Sequence, residues 1–329
     1  MPSEVEIYLD ELAQSGKLQD GFVLSPTQRQ LVKQAFAEAE NPIKIKKGSN
    51  LTKEETLARS VIQDEQGQPW ALLGFSKKIP QGVQATLKIA QNLETGEFCL
   101  AKITKIKNLE KEPRIKQEAE EEARHLIKKN LLIGYQHRNN PSEKYAYKHY
   151  NFIKILPGVK LWNEGKNDLG SVLKVLGPIE QCTLALKILM KLNELKNESI
   201  IHRDLHGGNI LIDPKSMECN IIDFGLSVEA DEEGFWYGKR VSDTQDKGPD
   251  IRFANGVDIL KISDYIALIK DKTLNSIFES LAQGSVAKRA DEGDILEYNS
   301  VDLVPAMNAV INYQEQLREQ ERVTPKKKR

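Results

Sequence analysis

The stretch Ile200–Ser227, IIHRDLHGGNILIDPKSMECNIIDFGLS, constrains this chain more than any other part of it. Its apolar runs are a few residues long, too short for helices, and each is followed by polar or glycine-bearing positions. Ile200–Ile212 and Asn220–Phe224 therefore read as a short hairpin flanking a loop. This unit gathers Asp204, Asn209 and Asp223 on loops pinned by apolar strands. Two carboxylates and an amide are oxygen ligands for a hard divalent cation. Mg²⁺ keeps several waters and takes one or two carboxylates plus phosphate oxygens, a division of labour that suits nucleotide phosphate chemistry.

Elsewhere the patterning changes along the chain. Residues 1–41 read as two short helices, with Ser25-Pro26 as a capped start and Asn41-Pro42 as a stop. Thr52-x-x-Glu55 fits a capping box. Gln84–Ala90 and Glu97–Ile103 are strand-like and separated by a turn sequence, and Tyr145–Leu156 holds one or two strands. Residues 112–129 carry the helical stripe Ile115–Ala119–Leu126, and Pro178–Lys196 is an amphipathic helix. Helices follow at 257–271, 273–283 and 300–321. Strands first and helices later predict an α+β fold with a sheet-rich and a helical lobe.

The order HRD-x4-N then DFG resembles the catalytic and metal-binding loops of the protein kinase superfamily, over roughly residues 72–321. The resemblance implies a bilobal fold with a small antiparallel-sheet N-lobe, a helical C-lobe and an extra helical leader. The implied domains are 1–71 (leader), 72–158 (N-lobe), 159–321 (C-lobe) and 322–329 (basic disordered tail). It also implies ATP as phosphoryl donor, Mg²⁺ or Mn²⁺ as cofactor, and a Ser or Thr hydroxyl of a protein as acceptor. Asp204 would accept the hydroxyl proton, while Asn209 and Asp223 would hold the metal ions. His202 would pack and hydrogen-bond rather than carry protons. Lys102, in ETGEFCLAKI, would neutralise the α- and β-phosphates. Its carboxylate partner would come from Glu118, Glu120, Glu121 or Glu122. The apolar stripe turns Glu118 and Glu122 inward, and Glu122, four residues before Leu126, fits best. Gly82, Leu87 and Ile155 would line the nucleotide, Ile155 within the segment where kinases place the adenine-binding hinge.

Several positions depart from the family pattern. Of the glycine-rich phosphate loop only Gly82 survives, with Pro80 and Ala85 at positions that favour glycine. His206 stands two residues after Asp204, where protein kinases usually carry a lysine that steadies the transferring phosphate; antibiotic and small-metabolite kinases share this histidine. Arg203 is present, as in regulated protein kinases. No APE motif follows DFG, and the segment after it is acidic, with no compelling phosphosite at Ser227, Ser242 or Thr244. Either Asp258 or Asp264 would brace the catalytic loop, and the DYIALI context favours Asp264. These departures keep two other readings open: a kinase of a small molecule or lipid headgroup, and a pseudokinase that binds without turnover.

The 329 residues carry 47 basic and 48 acidic side chains, a net charge of −1. That balance excludes a wholly basic nucleic-acid binder, so nucleic acid is not an expected partner. The distribution is uneven, since residues 43–116 hold 14 Lys and Arg against 8 Asp and Glu. Such a surface suits a polyanion such as an inositol phosphate or a phosphoinositide, which would order the degenerate phosphate loop. No apolar run approaches the roughly 18 residues of a membrane span. The acidic N-terminus does not read as a signal peptide, and Cys99, Cys182 and Cys219 are too scattered for a disulfide framework. A soluble cytosolic protein is expected. The mix of a eukaryotic-like core, truncated surroundings and a glutamate-rich C-terminus is similar to secreted effector kinases of intracellular bacteria, which act in the host cytosol. Pro325–Arg329, PKKKR, resembles a nuclear localisation signal, although a short basic end is more often just a tail.

Overall fold

A computed structural model of the chain describes residues 61–72, 85–92, 94–95, 97–139, 144–156, 159–160, 176–213, 216–238, 251–266, 271–289 and 295–323. The expected leader helices, the Thr52 capping box, Pro80 and Gly82, Ser242 and Thr244, and the basic tail from residue 324 on lie outside these residues. The chain divides into two compact units, Met1–Ile155 and Leu156–Arg329.

The first unit is built on an antiparallel sheet of β1 (Val61–Gln63), β2 (Pro69–Leu72), β3 (Ala85–Asn92), β4 (Phe98–Ile106), β5 (Leu132–Asn139) and β6 (Tyr147–Lys154). Their order across the sheet is β1-β2-β3-β4-β6-β5. The sheet starts at Val61, within the segment expected to be a helical leader, and β5 was not expected at all. Both are short or polar, with the apolar alternation of β5 diluted by Gln136, His137, Arg138 and Asn139. Tertiary pairing with β6 therefore decides the strand more than its own composition. The core on one face includes Trp70, Ala90, Cys99, Ala101, Ile103 and Phe152, with Trp70 stacked on Phe152 at 4.9 Å between ring centroids.

The β1–β2 turn ties the edges of this sheet together. Buried Asp64 accepts the backbone N–H groups of Gln66 and Gln68 through Oδ1 and the Trp70 indole N–H through Oδ2. Glu65 N–H donates to Tyr135 O of β5 at 2.9 Å. Gly134 leaves the room that Asp64 fills, because a methyl there would collide with the carboxylate.

Helix α1 (Pro113–Lys128) packs on this sheet. Proline at its start lacks the N–H that a first turn cannot use, and His125 and Lys128 complement the dipole at its end. Its buried side is Ala119, Glu122, Ala123, His125 and Leu126.

The second unit holds β7 (Val159–Lys160), α2 (Pro178–Asn197), β8 (Ile200–Ile201), β9 (Ile210–Ile212), β10 (Cys219–Ile221), β11 (Val228–Glu229), β12 (Trp236–Gly238) and β13 (Ile251–Phe253). It continues with α3 (Gly256–Ile266), α4 (Lys272–Gly284), β14 (Val286–Arg289), β15 (Ile295–Tyr298) and α5 (Val304–Val323). β9 and β10 form the expected hairpin, whereas β8 pairs with β11 instead. Helix α4 is capped by Asp271, whose side chain accepts from Thr273 and Leu274 N–H. Gln314 of α5 donates to Ile179 O and Thr183 Oγ1 of α2, fixing that helix pair.

A small sheet of order β12-β13-β15-β14 is built from the polar stretch after DFG and from the segment between the helices expected at 273–283 and 300–321, where the sequence suggests no strand. Its strands have three or four residues, below the length at which alternation is legible. Ile201, Val228, Ile251, Phe253 and Val257 form a core between this sheet and the β8–β11 pair. The fold is thus α+β, with a sheet-built first unit and a second unit of helices and small sheets.

Gly256, at the start of α3, is held where side chains do not fit. An added Cβ would lie 2.6 Å from Asn299 O and 2.6 Å from Ser285 O, and both obstacles are backbone. Gly256→Ala should therefore cost about 1–3 kcal/mol and lower the melting temperature by a few degrees. Thermal denaturation followed by circular dichroism checks this, and an unchanged midpoint would contradict the close packing of α3.

Candidate active-site residues

In the first unit, Lys102 sits on central strand β4, opposite Leu87 of β3 and Asn151 of β6. Its ammonium meets Glu122 Oε1 of α1 at 2.7 Å. Glu122 is buried and Lys102 largely so, and removing one member of such a pair strands the other charge. The alternative Glu118 faces another partner, accepting from Arg114 Nε at 2.8 Å one helical turn back. Ile155 follows the end of β6 and is 50% exposed. Leu87 contributes its place beside Lys102 through the β3–β4 register.

Sequence reasoning missed a buried polar chain beside this pair. Tyr147 O–H donates to Glu120 of α1 at 3.2 Å and touches His149 Nδ1 at 3.1 Å. His149 Nε2 in turn meets Asn151 Oδ1 at 2.9 Å. Burial lowers the His149 pKa, while the Asn151 bond and the Glu120 charge pull it back. The chain gives α1 a polar attachment to β6 besides the Lys102–Glu122 pair. Its alternate positions, 147, 149 and 151, carried a period-two signal, but the polar residues concealed that they face inward.

In the second unit the loops of the HRD and DFG segments are held by hydrogen bonds to groups far off in sequence. Buried Asp258 of α3 accepts the backbone N–H of His202 through Oδ2 and of Arg203 through Oδ1, each at 2.8 Å. This corrects the preference for Asp264; the helix's first turn, not its third, supplies the brace. His202 Nε2 lies 3.0 Å from Ile222 O, and its ring tilts against Phe224 at 5.2 Å. Burial pushes its pKa down to about 4, so at neutral pH the ring is an uncharged strut between the two loops.

Arg203 adopts φ 63°, a left-handed conformation uncommon for a side-chain-bearing residue. Its Nε donates to Leu226 O at 2.7 Å, and its guanidinium lies 4.4 Å from the Trp236 ring centroid and 5.7 Å from that of Phe253. The arginine therefore fastens the segment after DFG onto the small sheet. Asp223 is also left-handed, at φ 64°, and exposed, just before the 3-10 turn Phe224–Leu226. Such backbone outliers concentrate at functional sites.

Asn209 ends a 3-10 turn in which His206 Nδ1 accepts the Gly208 N–H at 3.0 Å. Its amide nitrogen donates to Asp204 O at 2.9 Å and lies 3.4 Å from Asp204 Oδ2. Lys261 of α3, absent from the sequence reading, comes within 3.5 Å of Asp204 Oδ1. It follows Asp258 by three residues, a same-face spacing that became informative only once Asp258 was known to brace the loop. The Asn209 amide oxygen and the Asp223 carboxylate are hard donors of the kind Mg²⁺ takes alongside phosphate oxygens, so the donor set fits that ion.

Residues 104–245 match the family model described as protein tyrosine and serine/threonine kinase. The match is less than half of the chain; it begins two residues after Lys102 and contains Glu122, Asp204, Asn209 and Asp223. The serine/threonine-protein kinase ppk31 of Schizosaccharomyces pombe is 26% identical over 177 residues, 52% of this chain and 16% of that protein. The mitogen-activated protein kinase kinase kinase ANP1 of Arabidopsis thaliana is 30% identical over 165 residues, 47% of this chain and 22% of its own length. Misshapen-like kinase 1 of Rattus norvegicus is 26% identical over 180 residues, half of this chain and 12% of that protein. The chain thus spans under a quarter of the length of these relatives. These matches support the protein-kinase-like reading of its middle section.

The Asp258 brace has a pH signature. Burial raises its pKa from 3.8 to about 7 against the pull of its two backbone donors. The folded state thus keeps a proton that the unfolded chain has released. Stability from this group is fully present below about pH 4 and is lost as pH rises through about 7. His202 acts in the opposite sense, contributing above its unfolded value of 6.5 and losing that contribution as pH falls through about 4. In chemical denaturation, the advantage of wild type over Asp258→Asn should be largest near pH 4 and shrink by pH 8. An advantage that grows with pH would contradict the assignment.

Proposed function

We propose that this protein is an atypical protein kinase that transfers the γ-phosphoryl group of ATP to a Ser or Thr hydroxyl of a protein, itself included. The observation that carries the reading is the joint fixation of Asp204 and Asn209, with the left-handed Asp223 following on its own braced loop. In the reaction the acceptor oxygen forms a bond to the γ-phosphorus as the bond to the ADP oxygen breaks, and the hydroxyl proton passes to Asp204. Lys102, oriented by Glu122, pairs with the α- and β-phosphate oxygens. Asn209 and Asp223 would hold Mg²⁺ or Mn²⁺, which when bound would supply positive charge against that of the phosphates. Positioning and charge neutralisation supply most of the rate in such a transfer. Gly82, Leu87 and Ile155 belong to the proposed nucleotide contacts.

The division into two lobes near residue 158 carries the same reading, with the sheet of the first lobe beginning at Val61 rather than at residue 72. An inositol phosphate or phosphoinositide at the basic surface of the first lobe is part of the proposal. Support comes from Lys88 of β3, whose pKa is lowered by burial and then by the Lys105 charge, a pair that an anion would relieve. A cytosolic setting, including the host cytosol if the protein is a bacterial effector, fits this role; among the described residues no helix is long and apolar enough to cross a membrane. A second reading, transfer to a small molecule or lipid headgroup, is favoured by His206, which caps the loop turn where a lysine would contact phosphate.

Incubation with labelled ATP and Mg²⁺ tests the reaction. Wild type should label itself or a protein acceptor, and Asp204→Asn or Asp223→Ala should lower the rate at least about a hundredfold with unchanged melting. Transfer to metabolites alone would favour the second reading, and nucleotide binding without turnover would mark a pseudokinase. Adding soluble inositol phosphates should lower the ATP KM; an unchanged KM would sink the polyanion part alone.

A further inference from the structure

Besides the Asn209 amide nitrogen, 3.4 Å from Oδ2, two groups approach the oxygens of Asp204. His206 Nε2 lies 3.8 Å from Oδ2, and Lys261 Nζ lies 3.5 Å from Oδ1. His206 is committed to the loop through its Nδ1, which accepts the Gly208 N–H, and in that neutral form it brings no full charge. Lys261 brings an ammonium. It stands on the same face of α3 as Asp258, so the turn that braces the loop backbone also presents an ammonium to the loop's carboxylate.

The contact is longer than the roughly 2.7–2.9 Å of a charge-assisted hydrogen bond. An ammonium has three donors, and the Lys261 side chain is 41% exposed, so it can reach a phosphoryl oxygen beside Asp204. The transferring group spreads negative charge over three equatorial oxygens, and a cation aimed at them lowers the barrier only if it is already in place.

We propose that Lys261 is the cation that stabilises the transferring phosphoryl group, replacing from helix α3 the charge that His206 does not supply from the loop. The inference rests on the phosphotransfer reading above. As the acceptor oxygen bonds to phosphorus and the bond to ADP breaks, the hydroxyl proton goes to Asp204, and Lys261 stays protonated and pairs with the equatorial oxygens. The device is specific to phosphoryl in flight, so it should matter little to bound ADP.

The test uses the full chain with Lys261→Met, Lys261→Arg and the double variant Lys261→Met/His206→Lys. Lys261→Met should lower kcat about a hundredfold and leave the ATP KM within about threefold, while Lys261→Arg keeps most of the activity. The double variant should recover at least about tenfold, because a lysine at position 206 restores the charge from the loop side. Calorimetry supplies a readout without turnover. Lys261→Met should bind Mg·ADP as wild type does but lose affinity for Mg·ADP with fluoroaluminate, a mimic of the phosphoryl in flight. Equal losses for ADP and the mimic, or wild-type kcat and mimic affinity, would overturn the assignment while leaving the kinase reading intact. A wild-type protein that binds neither ligand would overturn both.

Discussion

The second unit depends on one carboxylate. Asp258 is buried on the first turn of α3 and receives two consecutive backbone N–H groups, those of His202 and Arg203. Buried amides without partners are costly, and a buried carboxylate without donors more so, so each satisfies the other. The exchange lets Arg203 take a left-handed conformation in a loop that would otherwise relax. From that fixed point the loop runs to Asp204 and, through Asn209, back onto Asp204 itself. The helix that carries Asp258 is located in turn by Gly256, wedged against two backbone carbonyls. A position without a side chain thus governs where the Asp204 carboxylate stands.

The first unit solves a comparable problem with charges on side chains. Lys102 and Glu122 are a pair whose desolvation is recovered only at close range, which the 2.7 Å contact provides. The sheet and α1 must therefore keep their register, and the Tyr147–His149–Asn151 chain supplies a second attachment with directional contacts. Apolar packing alone is non-directional and would let the helix slide. The polar chain costs burial and returns geometric definition, a trade that hydrogen-bonded buried networks make generally.

Much of this was legible in the sequence. The β9–β10 hairpin, α1 and α2 follow from short apolar runs and helical stripes, and the HRD and DFG loops were legible through their resemblance to the kinase motifs. The apolar stripe narrowed four glutamates to Glu118 and Glu122, and the four-residue spacing to Leu126, shared with the kinase helix pattern, ranked Glu122 first. The elements that escaped are those decided by partners distant in the chain. β5 is polar by composition and becomes a strand because β6 lies beside it. The small sheet of β12, β13, β14 and β15 is assembled from strands too short to show a period. Asp264 looked the better brace because of its DYIALI context, and only the tertiary path of His202 and Arg203 shows that Asp258 takes the role. Lys261 was one lysine among many until that path placed its face of the helix toward Asp204.

The proposal turns on Asn209 and Asp223 as holders of a metal ion that takes part in ATP binding. ATP affinity measured by calorimetry with and without Mg²⁺, for wild type and Asp223→Ala, tests it most directly. The account predicts that Mg²⁺ tightens ATP binding to wild type and that Asp223→Ala abolishes this gain while retaining the weaker metal-free affinity. Binding that is indifferent to Mg²⁺ in wild type, or a gain that survives in Asp223→Ala, would contradict it.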